Sequence, residues 1–364
     1  MRKKIRKMNI NFWKNKKVLI TGHTGFKGSW LTLILNSFGA KIYGFALDPI
    51  SKPNFFDGSN LKQYLIKDIR ANIQNSTYLY RTINKIKPDI IFHMAAQSSV
   101  LVSYKDPEDT IKTNIIGTVN ILEALKKCNS VKAAVIVTTD KVYLNLEKKK
   151  KFKEIDHLGG YDIYSGSKAS CEVLTHSYLN SFFQKSNCKI ATVRSGNCIG
   201  GGDWTKDRIV KDCAESFIFN KNITIRSPKA SRPWQHVIEP IFGYLKLTEK
   251  LFFSKKFVGS WNFGPNVKNN IKVIDVAKFG KRFLKSNSKI KISKQKYYES
   301  QHLSLDSSKA KKYLKWKTNL KPEEALKLSF EWYKFYYNNR GNNKIINFTF
   351  KQIDNYKKKF FKFK

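Results

Sequence analysis

A tyrosine and a lysine stand four residues apart in the run Tyr161-Asp162-Ile163-Tyr164-Ser165-Gly166-Ser167-Lys168. On a helix that spacing puts both side chains on one face. An ammonium one turn from a phenol lowers the phenol's pKa, so Tyr164 can serve as a base near neutral pH, far below its ordinary value of about 10. Such a pair gains meaning only beside a nicotinamide site. A second set of reactive groups, Thr139-Asp140-Lys141, follows the apolar run Ala133-Ala134-Val135-Ile136-Val137-Thr138. Ligands of open parallel sheets bind beyond the carboxyl ends of strands, so hydroxyl, carboxylate and ammonium are delivered there together.

The elements that would position these groups begin upstream. Lys16-Lys17-Val18-Leu19-Ile20 suggests a short buried strand, which runs into Thr21-Gly22-His23-Thr24-Gly25-Phe26-Lys27-Gly28 and then a helix that closes at Gly39. Glycines at 22, 25 and 28 let the chain turn tightly, let a pyrophosphate reach the backbone and let the helix pack on the strand. A second strand ends at Asp48, twenty residues beyond Gly28. An acid there accepts hydrogen bonds from the adenosine ribose and repels a 2′-phosphate, which favours NAD over NADP. Asp68 and Ile69 follow in the third strand region, where a loop could cover the adenine. The fourth strand, Asp89–Met94, opens into Ala95-Ala96-Gln97-Ser98-Ser99, whose small residues leave room for a cofactor. His93 lies inside that apolar strand and has no second histidine or carboxylate at metal spacing, so it is a core histidine and no metal site is expected.

Strands alternate with helices as far as Lys189-Ile190-Ala191-Thr192-Val193-Arg194, which argues for an α/β fold built on a Rossmann-type, doubly wound parallel sheet over residues 12–195. Beyond it the pattern loosens. Residues 196–340 suggest mainly a smaller mixed α/β domain for substrate, some segments of which return to the first, and 341–364 suggest a basic tail. Arg232-Pro233-Trp234-Gln235-His236-Val237 brings an arginine that can clamp a diphosphate among aromatics that can stack a base or sugar.

Composition limits the alternatives. The 364 residues and 41% hydrophobic content are enough for one large core or two ordinary ones. A net charge of +42 invites a nucleic-acid reading, but the excess is mostly lysine spread along the whole chain, with clusters only at Lys148–Lys151 and from Lys357 onward, so no specific nucleic-acid partner is expected. Five cysteines without CxxC spacing fit reduced thiols and a cytoplasmic compartment. No segment is long enough to insert in a membrane, and the basic start lacks the apolar run of a signal peptide.

Gly22-x-x-Gly25-x-x-Gly28, Ala95-Ala96, Thr139 and Tyr164-x-x-x-Lys168 together resemble the extended short-chain dehydrogenase/reductase superfamily. Within it the chain is most similar to the CDP-glucose 4,6-dehydratase family. Phe12-Trp13, the run from Thr21 to Leu31, Phe92-His93-Met94-Ala95-Ala96-Gln97, Asp140-Lys141, Gly159-Gly160-Tyr161-Asp162, Gly200-Gly201-Gly202-Asp203-Trp204, Arg232–Val237 and Trp261-Asn262-Phe263-Gly264-Pro265 carry that narrower match over about residues 12–356. The resemblance implies a redox-neutral dehydration of CDP-glucose with bound NAD, leading to deoxysugars of surface polysaccharides such as O-antigen lipopolysaccharide. It implies Thr139, Asp140, Lys141, Tyr164 and Lys168 as catalytic residues. For the cofactor it implies Gly22, Thr24, Gly25, Phe26, Gly28, Asp48, Asp68, Ile69, Ala95, Ala96 and Gln97, besides Tyr164 and Lys168. For the sugar nucleotide it implies Ser98, Asn197, Trp204, Arg208, Arg232, His236 and His302. It also implies a homodimer, or a tetramer built from it, through helices near Asp109–Lys127 and Tyr164–Phe183. Related dehydratases carry Asp-Glu where this chain has Asp140-Lys141, and a protonated lysine cannot take the C5 proton. Lys141 is therefore either a base with a lowered pKa or the charge that stabilises the enolate. Where the family usually has an arginine after Ala-Ala-Gln-x-x-Val, this chain has Leu101, and Lys148–Lys153 replaces a tryptophan- and tyrosine-bearing segment. A nucleotide-sugar epimerase is the nearest rival reading, and a non-catalytic polyanion-binding protein is the rival from another class.

Overall fold

The structure is a computed structural model, and it describes residues 8–147, 150–265, 270–293, 302–339 and 344–362. Lys148 and Lys149 of the basic cluster lie outside the described residues. The first six strands are β1 (Lys17–Thr21), β2 (Lys41–Ala46), β3 (Lys67–Arg70), β4 (Ile90–His93), β5 (Ala133–Val137) and β6 (Lys189–Arg194). Four short strands follow, β7 (Cys198–Ile199), β8 (Ile223–Ile225), β9 (Ser231–Arg232) and β10 (Gln235–His236), and then β11 (Gly259–Asn262). The central sheet has seven parallel strands in the order β11-β6-β5-β4-β1-β2-β3. The chain therefore winds outward in both directions from the junction of β1 and β4, and a crevice opens beyond the strand ends at that junction.

Every residue of β5 is buried, as expected of a strand covered on both faces, whose sequence is a continuous apolar run. Side chains alternate between the two faces. Val18, Ile20, Phe92, Val135 and Val193 meet the helices Phe26–Asn36 and Ile238–Phe253 on one side. Leu19, Ile91, Ala134, Ile136 and Ile190 meet Ser76–Ile86 and Gly117–Lys127 on the other.

The sequence boundary at residue 195 is softer than the alternation suggests. The Ile238–Phe253 helix packs on β5 and β6, and β11 pairs with β6 along Gly259↔Ala191 to Asn262↔Arg194, so this segment completes the main sheet. The rest of the second half forms a smaller mixed α/β unit. In it β7 pairs with β10, β9 with β12 (Ile271–Lys272) and β8 with β13 (Ile290–Ile292), among the helices Ile209–Ile218, Val273–Leu284 and Pro322–Asn338. The suggested basic tail is instead largely a helix, Lys344–Lys362. Ile345, Thr349, Ile353 and Tyr356 recur at helical spacing and are all buried, and Trp332 Nε1 donates to Thr349 Oγ1 over 2.8 Å. The lysines take the outer face, so an apolar stripe hidden in a lysine-rich sequence is enough to fold it. Among the described residues no helix is long and apolar enough to cross a membrane.

Candidate active site

Beyond the carboxyl ends of β1, β4, β5 and β6 lies a cleft of about 650 Å³, within the usual size range for small-molecule sites. One wall is the glycine-rich turn. Gly22 has φ +76°, and a Cβ there would sit 2.7 Å from the Ala95 nitrogen, so only glycine lets the turn after β1 lie this close to the β4 end. The helix Phe26–Asn36 starts immediately afterwards, and its N-cap Gly25 offers no side-chain cap. Its first N–H groups are thereby left to a ligand, and a helix amino terminus favours an anion. Asp48 lines the same cleft at the end of β2, where its carboxylate is 3.4 Å from Arg70. That arginine is also bound to Asp68. This cradle, narrow over the backbone and closed by an acid, fits a dinucleotide of the NAD type.

The reactive groups stand opposite. Thr139 and Asp140 follow β5, and Thr139 Oγ1 donates to Asp140 Oδ1 over 3.1 Å. Burial pushes the Asp140 carboxyl above the usual carboxylate range, against the pull of Lys141, Thr139, Arg232 and Lys27. Tyr164 sits in the first turn of the helix Ile163–Phe182, whose start is fixed by Asp162 accepting from the Ser165 N–H at 2.9 Å. Burial raises the Tyr164 phenol, and the neighbouring Thr139 hydroxyl and the charges of Lys27 and Arg208 offset only part of that rise. Lys168 is buried on the same helix and donates to the Val137 carbonyl at 3.3 Å, and desolvation lowers its pKa. The cations acting most on the phenol are thus Lys27 and Arg208 from other elements. The balance leaves the phenol above its ordinary value, the reverse of the lowering expected from the Tyr164–Lys168 spacing, and the one-turn lysine is turned toward the strand end. A π-turn, Lys112–Ile116, interrupts the expected Asp109–Lys127 helix. It lets Asn114 donate to both the Gln97 carbonyl (3.0 Å) and Ser167 Oγ (2.8 Å), tying the β4 end to the catalytic helix.

A family model described as GDP-mannose 4,6 dehydratase matches residues 19–328. The chain belongs to this family. Among the dehydratases, the CDP-glucose 4,6-dehydratase of Salmonella typhimurium is 40% identical over 344 residues, covering 92% of this chain and 95% of that protein. The solved DesIV, a dTDP-glucose 4,6-dehydratase from Streptomyces venezuelae with NAD and TYD bound, superposes with a TM-score of 0.76 at 18% identity, covering 89% of this chain and 98% of that one. The Thermus thermophilus UDP-glucose 4-epimerase complex with NAD gives 0.76 at 20% identity, covering 87% and 99%. These two likenesses carry the fold alone.

In this dehydratase family member the other sequence candidates divide. Thr24, Phe26, Ala95, Ala96, Ser98, Asn197, Trp204, Arg208 and Arg232 line the cleft with the groups above. Five do not. Asp68 is drawn inward, its carboxylate 2.8 Å from His23 Nε2 and 2.9 Å from Arg70 Nη2, while the Ile69 side chain is buried in the core on one face of β3. Gln97 is engaged with Ser99 and Thr110. His236 is a core residue whose ring meets Trp30 edge-on at 5.2 Å, and burial lowers its pKa to about 3. His302 lies outside the wall, where its neighbour Leu303 stands; its backbone N–H donates to Glu147 Oε2 at 3.2 Å. Trp204, though on the cleft, is mostly packing, with its ring 4.7 Å from that of Tyr336. His93 is buried between Thr21 Oγ1 at 2.8 Å and Thr118 Oγ1 at 3.2 Å, as a core histidine should be. Sequence reasoning missed Lys27, Ser195 and Arg226, which also line the cleft. The signal for Lys27 was its place inside the glycine motif.

Proposed function

We propose that the protein is a hydro-lyase that converts CDP-D-glucose to CDP-4-dehydro-6-deoxy-D-glucose with NAD as cofactor. Kinship over nearly the whole chain with a CDP-glucose 4,6-dehydratase supports the substrate. The observation that carries the chemistry is the meeting of Thr139, Asp140, Lys141 and Tyr164 with the glycine turn in one cleft. When bound, NAD supplies the hydride acceptor for C4 of the sugar and the donor for C6. Gly22, Thr24, Gly25, Phe26, Gly28, Ala95, Ala96 and Asp48 would hold it.

Tyr164 Oη, which shares the cleft wall with Thr139, takes the proton of the 4-hydroxyl. A ketone at C4 then makes the C5 hydrogen acidic. Asp140, whose carboxyl burial keeps readier to hold a proton than an ordinary aspartate, gives that proton to the departing 6-hydroxyl. Lys141, next along the same turn, either takes the C5 proton as a neutral amine or stabilises the enolate as a cation. Arg232 is buried at the cleft wall and faces Asp140. With Arg208 it gives the sugar-nucleotide diphosphate a cationic partner.

Incubated with CDP-glucose, the protein is expected to remove one molecule of water, seen by mass spectrometry, and to leave the dTDP, UDP and GDP sugars unchanged. Asp140→Asn should slow water loss by roughly 10²- to 10⁴-fold, the usual worth of a placed general acid. An unchanged mass with inverted sugar configuration, insensitive to Asp140→Asn, would make the protein an epimerase.

We also infer a homodimer through the paired helices Gly117–Lys127 and Ile163–Phe182. Around them Ile111, Ile116, Val173 and Phe182 are exposed, and an isologous contact would cover this apolar face. A sedimentation mass of one 42.3 kDa chain would remove that inference. The free state of all five cysteines supports a reducing, cytoplasmic setting.

A further inference from the structure

Lys27 stands at a junction of three elements. It lies inside the glycine motif, in the first turn of the helix Phe26–Asn36, and its Nζ donates to Ser195 Oγ at 3.0 Å. Ser195 Oγ in turn lies 2.6 Å from the Tyr244 hydroxyl. The next residue, Gly196, has no room for a side chain, because a Cβ there would sit 1.6 Å from Asp140 Oδ2. The Asp140 carboxylate is therefore pressed against the backbone beside the serine that anchors the lysine. Lys27, Asp140, Tyr164 and Ser195 all line one cleft.

We propose that Lys27 is a positioning residue for catalysis, an ammonium fixed on Ser195 that faces Tyr164 and Asp140 and prepares the tyrosine to accept a proton. The proposal rests on the dehydratase reading above and adds a group that reading does not use. Burial disfavours the lysine's charge, but Cys198, Tyr244, Tyr164 and Asp140 around it more than compensate and raise its pKa, so it stays protonated. Its charge favours the phenolate of Tyr164. The other groups bearing on this corner are Arg208 beside the phenol, Lys168 and Asp162 on the tyrosine's own helix, and Lys141 and Arg232 beside Asp140. Lys168 is bonded to the Val137 carbonyl, while Lys27 brings a second ammonium to the same cleft from another helix.

The test replaces Lys27 by methionine, which keeps the length of the side chain and removes its charge, and by arginine, which keeps the charge. If catalysis requires Tyr164 as phenolate, activity lies above the tyrosine's pKa, and losing a neighbouring cation moves the acidic limb of kcat/KM toward higher pH. Lys27→Met is expected to shift that limb upward by about one pH unit or more, with Lys27→Arg shifting it less. Independently of turnover, the tyrosinate absorbance that Tyr164→Phe removes should titrate at higher pH in the Lys27→Met background than in the unaltered one. An unmoved limb and an unmoved tyrosinate titration, with kcat lowered, would reduce Lys27 to a brace for Ser195. A raised KM for NAD with both titrations unmoved would make it a cofactor ligand. Either result overturns the proposal. If no variant, nor the unaltered protein, dehydrates CDP-glucose, the substrate reading fails, and the tyrosinate titration still decides the role of Lys27.

Discussion

Tyr164→Phe is expected to lower kcat by about 10²- to 10⁴-fold while leaving the binding of NAD and CDP-glucose within a few-fold of the unaltered protein. The substitution removes one hydroxyl and keeps the ring that fills the same space. Every turnover begins with loss of the 4-hydroxyl proton, so oxidation at C4, water loss and product release all fall together. Asp140→Asn differs in kind. It leaves Tyr164 and Thr139 in place, so oxidation at C4 should still be seen in a single turnover by nicotinamide absorbance while water loss stalls. A Tyr164→Phe protein that still oxidises C4 at a rate near that of the unaltered chain would exclude the tyrosine as base. The proton would then have to go to another group on the cleft, and Lys141 is the nearest alternative along the chain of reactive residues after β5.

The parts of the site that local chemistry defines were legible in the sequence. Strand, glycine turn and helix follow one another within residues 17–36, and the apolar run of β5 hands its reactive residues directly to the strand end. Tyr164 and Lys168 share a helix whose cap, Asp162, stands in the same short run. What spacing did not reveal was where each charge points. Lys168 has a backbone carbonyl within reach and takes it, whereas Lys27 reaches Ser195 across 168 residues of sequence. No local pattern encodes that contact. The same limit explains Asp68 and His236. Asp68 lies where the ribose and adenine would be recognised, but the buried His23 ring beside it provides a stronger claim on its carboxylate. His236 follows closely on Arg232, which does line the cleft, but its own ring packs against Trp30. The Lys344–Lys362 helix was obscured by composition, since lysines on its outer face hide a buried stripe of isoleucine and tyrosine. β11 was hidden by distance: its four residues look like a loop until β6 supplies the hydrogen bonds that make them a strand.

Arg194→Met should destabilise the fold by roughly 3–5 kcal/mol, the range for breaking one partner from a buried ion pair. Arg194 ends β6, and its Nε and Nη2 each donate to a Glu172 carboxylate oxygen at 2.9 Å in a fork that only a guanidinium can make. Both side chains are almost wholly inaccessible. Thr138 Oγ1 donates to the same carboxylate at 2.6 Å and Ser260 Oγ at 3.1 Å, while Arg194 Nη1 donates to the Tyr143 hydroxyl at 2.6 Å. The pair therefore joins the end of β5, β6, β11 and the catalytic helix in one network that reaches Thr138, the residue before Thr139. Burial alone would raise the Glu172 carboxyl, but the arginine outweighs it and lowers the pKa. A depressed folded-state pKa means that the stabilisation is present above the unfolded carboxylate pKa and is lost as pH falls through the lower folded value. Removing Arg194 leaves a buried carboxylate without its counter-charge, so in the variant the carboxyl holds its proton and the sign reverses: stability falls as pH rises. Urea unfolding of Arg194→Met at several pH values reads both effects. The double variant Glu172→Leu/Arg194→Met removes both charges and should recover part of the loss, because no uncompensated ion remains. If the single variant is as stable as the unaltered chain, the network contributes nothing to the fold. If the double variant recovers stability but not turnover, Glu172 and Arg194 act through Thr138 on the placement of Thr139 and Asp140, and the ion pair belongs to the geometry of the site as much as to the core.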